Sequence, residues 1–570
     1  MRSARLFALV AASTALAACA PRAGVSTGSS AAGAYDVVIE NGRVIDGTGA
    51  AWYYGDVALR GDRIAAIGPR GAFKGAPATT RVDATGQVVA PGFIDIQAQS
   101  YENFMMGDGR ALSMVTQGIT TAILGEGSTP APVNDKILAL ETDSATKAIE
   151  RQFTGPHGFG DWLEWMARRG VSQNVGSFLG NGTVRVYGKG GAMGPSTAVE
   201  IDTMQAMVRR AMQDGAFGIA SALIYPPNAY ASTEELIAVN KATAAYGGVY
   251  ITHLRSEGDK FLEAMDEAIR IGKEAGVPVE IYHLKASGVR NWPKMNQAIA
   301  KIDSARLAGQ DVQADMYLYP AGGNSFASCV PPKYAANGKL LANLKDPALR
   351  ATILQEMHAR DAGYENLCEV ATPANVMVIG FKKPEYRQFE GKRLAEIAAA
   401  MNKDWAEVII DLNVAENAGL GELLFLMSED NIKNQIRQPW MKFGTDAGSE
   451  DPATAVGMTH PRAYGNFPRL LGKYVRQEQV TTLEDAVRKA SAAVATRLSI
   501  SDRGVLKQGL KADIVVFDPN TIIDHATFEK PHQLPTGMRD VFVSGVAVLR
   551  DGKHTGAKPG QVVRGPGYQR

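Results

Sequence analysis

Cysteine and histidine are scarce in this chain, with three Cys and eight His among 570 residues. Three Cys exclude a disulfide-stapled scaffold and any four-cysteine zinc site. With so few His, the position of each is informative. Neither charge sign dominates, since 60 Lys and Arg stand against 59 Asp and Glu. A chain this balanced has no overall field to gather nucleic acid, and no nucleic-acid partner is expected. Disorder as the main state is excluded, because net charge is only +1 and 45% of residues are hydrophobic. The length suggests about three to five structural units, or one large barrel with additions.

The first residues account for one Cys. Arg2 and Arg5 precede an apolar run, Leu6 to Ala18, too short to span a bilayer. It ends Leu16-Ala17-Ala18-Cys19. Small residues directly before a Cys resemble a bacterial lipoprotein signal, cut before Cys19 so that this residue carries the lipid. The alternative is an ordinary secretory peptide cut near Ala20. On the first reading, residues 1–18 are a signal, 19–34 a flexible tether of small and polar residues, and the chain is exported and lipid-anchored to the envelope, facing the periplasm or the exterior. No later stretch is apolar enough to span a membrane. Cys329 and Cys368 either pair in such an oxidising compartment or stay free.

Residues 35–90 and 501–570 read as short strands and turns. Asn41-Gly42, Gly61-Asp62 and Ser544-Gly545 are the expected hairpin turns. Two β-rich ends around a different middle predict one small β-sandwich built from both termini. The middle, 91–500, alternates strands and helices. Val249-Tyr-Ile-Thr, a helical pattern on Phe261, Met265, Ala268, Ile269 and Gly272, a stop at Gly276 and a strand from Val277 form one βαβ unit. Repeated units of this kind predict an α/β fold, a (β/α)8 TIM-type barrel. Residues from about 326 to 435 break the rhythm and read as an inserted subdomain.

Barrel enzymes place their chemistry at the C-terminal ends of the strands. His253 and His283 each end a predicted strand, one repeat apart. Neutral imidazoles side by side suit Zn²⁺, which takes about three protein ligands and a water; the alternative is two hydrogen-bonded strand caps. Glu126, in Gly125-Glu126-Gly127 after a strand, is either a third ligand or a surface turn acid. Asp446, in Gly444-Thr445-Asp446, either faces the metal and takes a proton from water or caps a helix.

At this point the residues resemble the amidohydrolase superfamily. Pro91-Gly92-Phe93-Ile94-Asp95, Thr252-His253-Leu254-Arg255, His283-Leu284-Lys285 and Thr445-Asp446 carry that resemblance. Within it, the chain is similar to the N-acyl-D-amino-acid deacylases, or D-aminoacylases, through Leu223-Ile-Tyr-Pro-Pro-Asn-Ala-Tyr-Ala, Tyr317-Leu-Tyr-Pro-Ala-Gly and His460-Pro-Arg-Ala-Tyr-Gly-Asn. The resemblance implies His253 and His283 as metal ligands and Asp446 as general base. It places Lys285, Arg462, Tyr225, Tyr319 and Ser325 around a small-molecule amide substrate, several of them at its carboxylate.

Two departures from the family pattern stand out. Where the family has His-x-His after Gly-Phe-Ile-Asp, this chain has Gln97-Ala98-Gln99, and it lacks the bridging Cys near Gly125-Glu126-Gly127. An amide oxygen is a weaker zinc ligand than imidazole. The expectation is therefore one zinc per chain on His253, His283 and Glu126, with Gln97 and Gln99 holding a water or the substrate amide. Two rivals stay open. One is hydrolysis of a D-peptide, aryl amide, lactone or carbamate; the other is a metal-free, lipid-anchored binding protein. Oligomeric state is also left open.

Overall fold

The computed structural model describes residues 34–360 and 363–569. Cys19 and the expected signal lie outside the described residues.

Eight short stretches of parallel strand carry the middle of the chain. They are Phe93–Asp95, Ile119–Leu124, Asn174–Ser177 with its continuation Leu179–Gly180, Gly218–Ala222, Val249–His253, Val279–Ile281, Val312–Met316 and Met441–Phe443. Ile119–Leu124 and Val249–His253 are buried along their whole lengths, as parallel strands covered by helices require. Each strand pairs in parallel with its successor in the chain, in sheets of three and six strands that part at Phe178. A parallel bridge, Ala98 to Ala447, joins the segment after the first strand to the segment after the last. The helix Phe261–Ala275 follows the pattern expected of it. It buries Phe261, Met265, Ala268 and Gly272 and ends at left-handed Gly276, where glycine has no steric penalty.

One buried group of charged side chains ties the sixth and eighth strands together. Glu280, on the sixth strand, lies 3.0 Å from Lys442 Nζ of the eighth and accepts Arg497 Nε from the helix Ala492–Arg497 at 2.8 Å. Lys442 and Glu280 have no exposed side-chain surface.

The two ends of the chain share one sheet. Tyr35–Val44 lies beside Tyr53–Arg60, and Val88–Pro91 bridges it to Ile514–Phe517. This differs from the expected pair of sheets and from the expected turn at Asn41-Gly42. Tyr35–Val44 runs straight through those residues as one strand, with a register shift between Ile39 and Gly42 and left-handed Asn41 (φ 65°). The shift lets its first half pair with Ala78–Asp83 and its second half with Val88–Pro91, so the nine strands form one branched ladder. The ladder encloses its own core of Ile39, Val57, Ile64, Ile514 and Phe542. Turns do fall at Gly61-Asp62 and Ser544-Gly545. The chain then returns beneath the parallel strands, where Val562 bridges Val175.

Between the seventh and eighth strands, Gly322–Ser325, Val376–Ile379 and Gly421–Leu424 form a separate antiparallel sheet. It begins at Gly322, ahead of the expected 326. Cys329 and Cys368 are joined as a disulfide across 39 residues of this insertion. Closing a loop of that length removes roughly 4 kcal/mol of freedom from the unfolded chain. Glu422 Oε2 lies 3.4 Å from the sulfur of Cys329 and 3.2 Å from that of Cys368. The joined sulfurs have no proton to donate, so the carboxyl keeps its own, and burial pushes its pKa up to about 8. The native state therefore binds this proton more tightly than the unfolded chain does. Stability should fall as pH rises from the ordinary carboxyl range to about 8, by on the order of 4 kcal/mol. Glu422→Gln should flatten that stretch of a stability–pH curve measured by denaturant unfolding; an unchanged slope would refute the assignment.

Candidate active site

The C-terminal ends of the strands converge on one cavity of about 430 Å³. Glu126 follows the second strand, Tyr225 the fourth, and His253 ends the fifth. His283 and Lys285 follow the sixth, and Asp446 the eighth. Sharp turns make this convergence possible. Gly125 (φ 123°) flanks Glu126, and a Cβ there would lie 2.5 Å from Phe178 O. His283 (φ 31°) and Asp446 (φ 49°) have left-handed backbones, a conformation that non-glycine residues adopt only when the surroundings impose it. Backbone contacts supply that constraint. The Asp315 carboxylate accepts His283 N at 2.8 Å, and Gln97 O accepts Asp446 N at 2.8 Å.

Glu126 Oε1 lies 3.6 Å from His253 Nδ1 and 3.2 Å from His283 Nε2. The two imidazoles are 4.4 Å apart, centre to centre, and nearly perpendicular. Ligands at zinc's usual bond length, placed tetrahedrally, stand about 3.4 Å from one another. Glu126 Oε1 stands at about that distance from both imidazoles, and the three donor atoms lie within 4.8 Å of one another, so they fit a zinc ion.

Electrostatics favour a cation at the same place. Burial and Lys285 push the His283 pKa down, but Glu257 and Glu126 outweigh them and hold it up at about 10. Burial lowers His253. Burial would raise Glu126, yet the two imidazoles keep it well below the ordinary carboxylate range. Glu126 and Glu257 thus stabilise positive charge on His283, whereas burial keeps His253 below its ordinary value. Burial also raises Asp446, against the opposing pull of Arg462, to about 6. That value suits a group that must accept a proton near neutral pH.

The expected substrate residues divide. Lys285, Tyr225, Ser325, Gln99 and Arg462 line the cavity. Arg462 Nη1 lies 2.6 Å from Asp446 Oδ2, while its Nε is buried with no hydrogen-bond partner. Tyr225 Oη accepts from Asn324 Nδ2 at 3.1 Å. Tyr319 does not line the cavity. Its hydroxyl donates to Asp524 at 3.0 Å beneath the face of Arg469, because the Tyr-Pro turn points the neighbouring Tyr317 inward instead. Tyr317 lies under the Arg462 guanidinium, 4.4 Å from ring centre to Cζ. Gln97 and Gln99 both donate to Glu126, where a water or the substrate amide was expected.

Glu257 was missed in the sequence. Its carboxylate is buried, lies 3.0 Å from His283 Nδ1 and 3.8 Å from His253 Nε2, and accepts Lys285 Nζ at 2.6 Å. Lys285 Nζ in turn stands 2.6 Å from His283 Nδ1, so Glu257 orients that imidazole through the lysine it holds. The only signal was its place four residues after His253, inside a loop with no strand or helix pattern. That loop is held by Glu365 of the insertion, which accepts Glu257 N and Gly258 N at 3.0 and 2.8 Å.

Two imidazoles, a carboxylate and a buried acid at the ends of parallel strands define a hydrolase of the amidohydrolase class, and the Amidohydrolase family model matches residues 434–549. D-aminoacylase of Alcaligenes xylosoxydans xylosoxydans is 32% identical over 93% of this chain and 97% of its own. A solved D-aminoacylase, described as having a binuclear metal centre with one-metal activation and second-metal attenuation, superposes with TM-score 0.76 at 31% identity over 93% of this chain and all of that one. N-acyl-D-glutamate deacylase of Bordetella bronchiseptica, solved with zinc and a phosphonate mimic of the tetrahedral intermediate, gives 0.74 and 30% over the same shares. The chain belongs to the N-acyl-D-amino-acid deacylase (D-aminoacylase) family of amidohydrolases. Its fold is accordingly a TIM-type barrel with an extra domain.

Proposed function

We propose that this enzyme deacylates N-acyl-D-amino acids in the cell envelope, with one zinc held by Glu126, His253 and His283. The observation that carries the reading is the triangle of donors within 4.8 Å of one another beside a buried carboxyl raised to about 6. Zinc there would supply a Lewis acid that acidifies water and polarises an amide carbonyl. Asp446 is the proton acceptor for the attacking water and returns that proton to the leaving nitrogen. Arg462 keeps Asp446 oriented and presents a cation on the cavity wall to the substrate carboxylate. Lys285 adds a second cation to the same wall. Glu257 holds Lys285 in place, and Lys285 Nζ orients His283 through Nδ1.

The two parallel sheets are read as arcs of one closed (β/α)8 barrel. Their shared seam at Phe178 and the Ala98 to Ala447 bridge support this. Cys19 is read as the lipid anchor on the strength of the preceding apolar run and small residues. The test of function is a panel of N-acyl-D- and N-acyl-L-amino acids with zinc assayed in the purified protein. One equivalent of zinc and turnover confined to the D series are expected. Turnover that ignores removal of the substrate carboxylate would refute the substrate class.

A further inference from the structure

We propose that Gln97 and Gln99 are positioning residues, which hold Glu126 to its metal through a single oxygen and close the place where a second cation would sit. The inference rests on the three-donor zinc reading above. Gln97 Nε2 lies 2.6 Å, and Gln99 Nε2 2.7 Å, from the same atom, Glu126 Oε2. A carboxylate only accepts, so both amides must present N–H there; their oxygens would repel it. A carboxylate oxygen has two lone pairs in its plane, and two donors occupy both. Only Oε1 is left to face His253 and His283.

The amide at Gln97 is aimed by this contact rather than by its own needs. Its Oε1 is buried with no donor, in a residue 1% exposed. Its backbone is tied on both sides, from Gln97 N to Asp95 at 3.1 Å and from Asp446 N to Gln97 O at 2.8 Å. Gly444 packs so closely that a Cβ there would lie 2.8 Å from Gln97 Cβ. The side chain therefore has little room to swing away from Glu126.

Two consequences follow from the occupied oxygen. Glu126 cannot chelate with both oxygens, which would fill the fourth zinc position; that position stays open for water. A second cation beside Glu126 would need Oε2, or acceptors in place of the amide N–H groups, and it finds two donors instead. The site is built for one metal by its hydrogen bonds, not only by the lack of imidazoles.

The test uses the full mature chain, with zinc affinity measured by competition with a chromophoric chelator. Gln97→Met and Gln99→Met keep side-chain length and remove the donors. Each should weaken zinc about 10–100-fold, the usual effect of losing a partner behind a metal ligand. X-ray absorption of the zinc-loaded variants should show a higher coordination number as Glu126 turns to two-oxygen binding. Q97H/Q99H should take up a second equivalent of zinc, while the wild type holds one. Gln99 lines the cavity rather than the core, so Q99M gives a reading even if Q97M folds poorly. Wild-type affinity in both Met variants, or two tight zinc ions in the wild type, would overturn the inference while leaving the deacylase reading standing. One Gln-dependent zinc without turnover of any N-acyl-D-amino acid would sink the deacylase reading alone. A wild type that binds no zinc would overturn both.

Discussion

Asp446→Asn is expected to lower kcat/KM on N-acyl-D-amino acids by about 10²–10⁴-fold, the usual contribution of a positioned general base, with zinc content unchanged. The amide has the size of the carboxylate and sits on the same left-handed turn, held by Gln97 O and by the bridge at Ala447. What it lacks is the capacity to take a proton. Asp446 is not one of the three donors at zinc spacing, so metal should survive the change, and His253→Ala, which removes a donor, should lose metal and activity together. Metal analysis beside steady-state rates separates the two outcomes. A D446N enzyme that works within a factor of a few of wild type would show that the proton goes elsewhere.

The second large effect concerns stability. Arg497→Met should destabilise the fold by about 3–5 kcal/mol, the range found when one partner of a buried ion pair is removed. Arg497 donates Nε to Glu280 at 2.8 Å, Nη1 to Asp311 at 2.8 Å and Nη2 to Val279 O, with little surface of its own exposed. Its loss leaves Glu280 inside the body with only Lys442. Adding Glu280→Gln should recover most of the loss, because the carboxylate that then remains, Asp311, has a half-exposed side chain that water can solvate. Lys442 tolerates the change: burial already lowers its pKa, and its Nζ also donates to Gln313 at 2.8 Å. Denaturant unfolding of the single and double variants measures both steps. A loss below about 1 kcal/mol in R497M would place this group with weak surface pairs instead.

The strand ends were legible in the sequence because they announce themselves locally. His253 and His283 follow short β-branched or aromatic runs, and Glu126 and Asp446 sit in glycine-marked turns. Glu257 was not legible. It acts through Lys285 and the far sides of both imidazoles, from a loop whose position is set by Glu365 more than a hundred residues later. The resemblance points to Tyr319, and nothing local in Tyr317-Leu-Tyr-Pro tells the two rings apart. Only the turn after the seventh strand shows which ring faces Arg462 and which faces Asp524. The Gln pair was seen as a deficit of imidazole, whereas the structure shows two donors on one carboxylate oxygen. Asn41-Gly42 carried a strong turn signal and was overridden by pairing on both sides of Tyr35–Val44, a partner choice no local rule contains.

The shared terminal sheet has a consequence for how the protein is made. Val88–Pro91 sits between Tyr35–Val44 and Ile514–Phe517, so a ribosome must finish nearly the whole chain before that edge is covered. Until then the growing polypeptide carries an open strand edge, a surface prone to mispairing and aggregation. The terminal sheet therefore cannot close before the whole of the chain between its halves has been made.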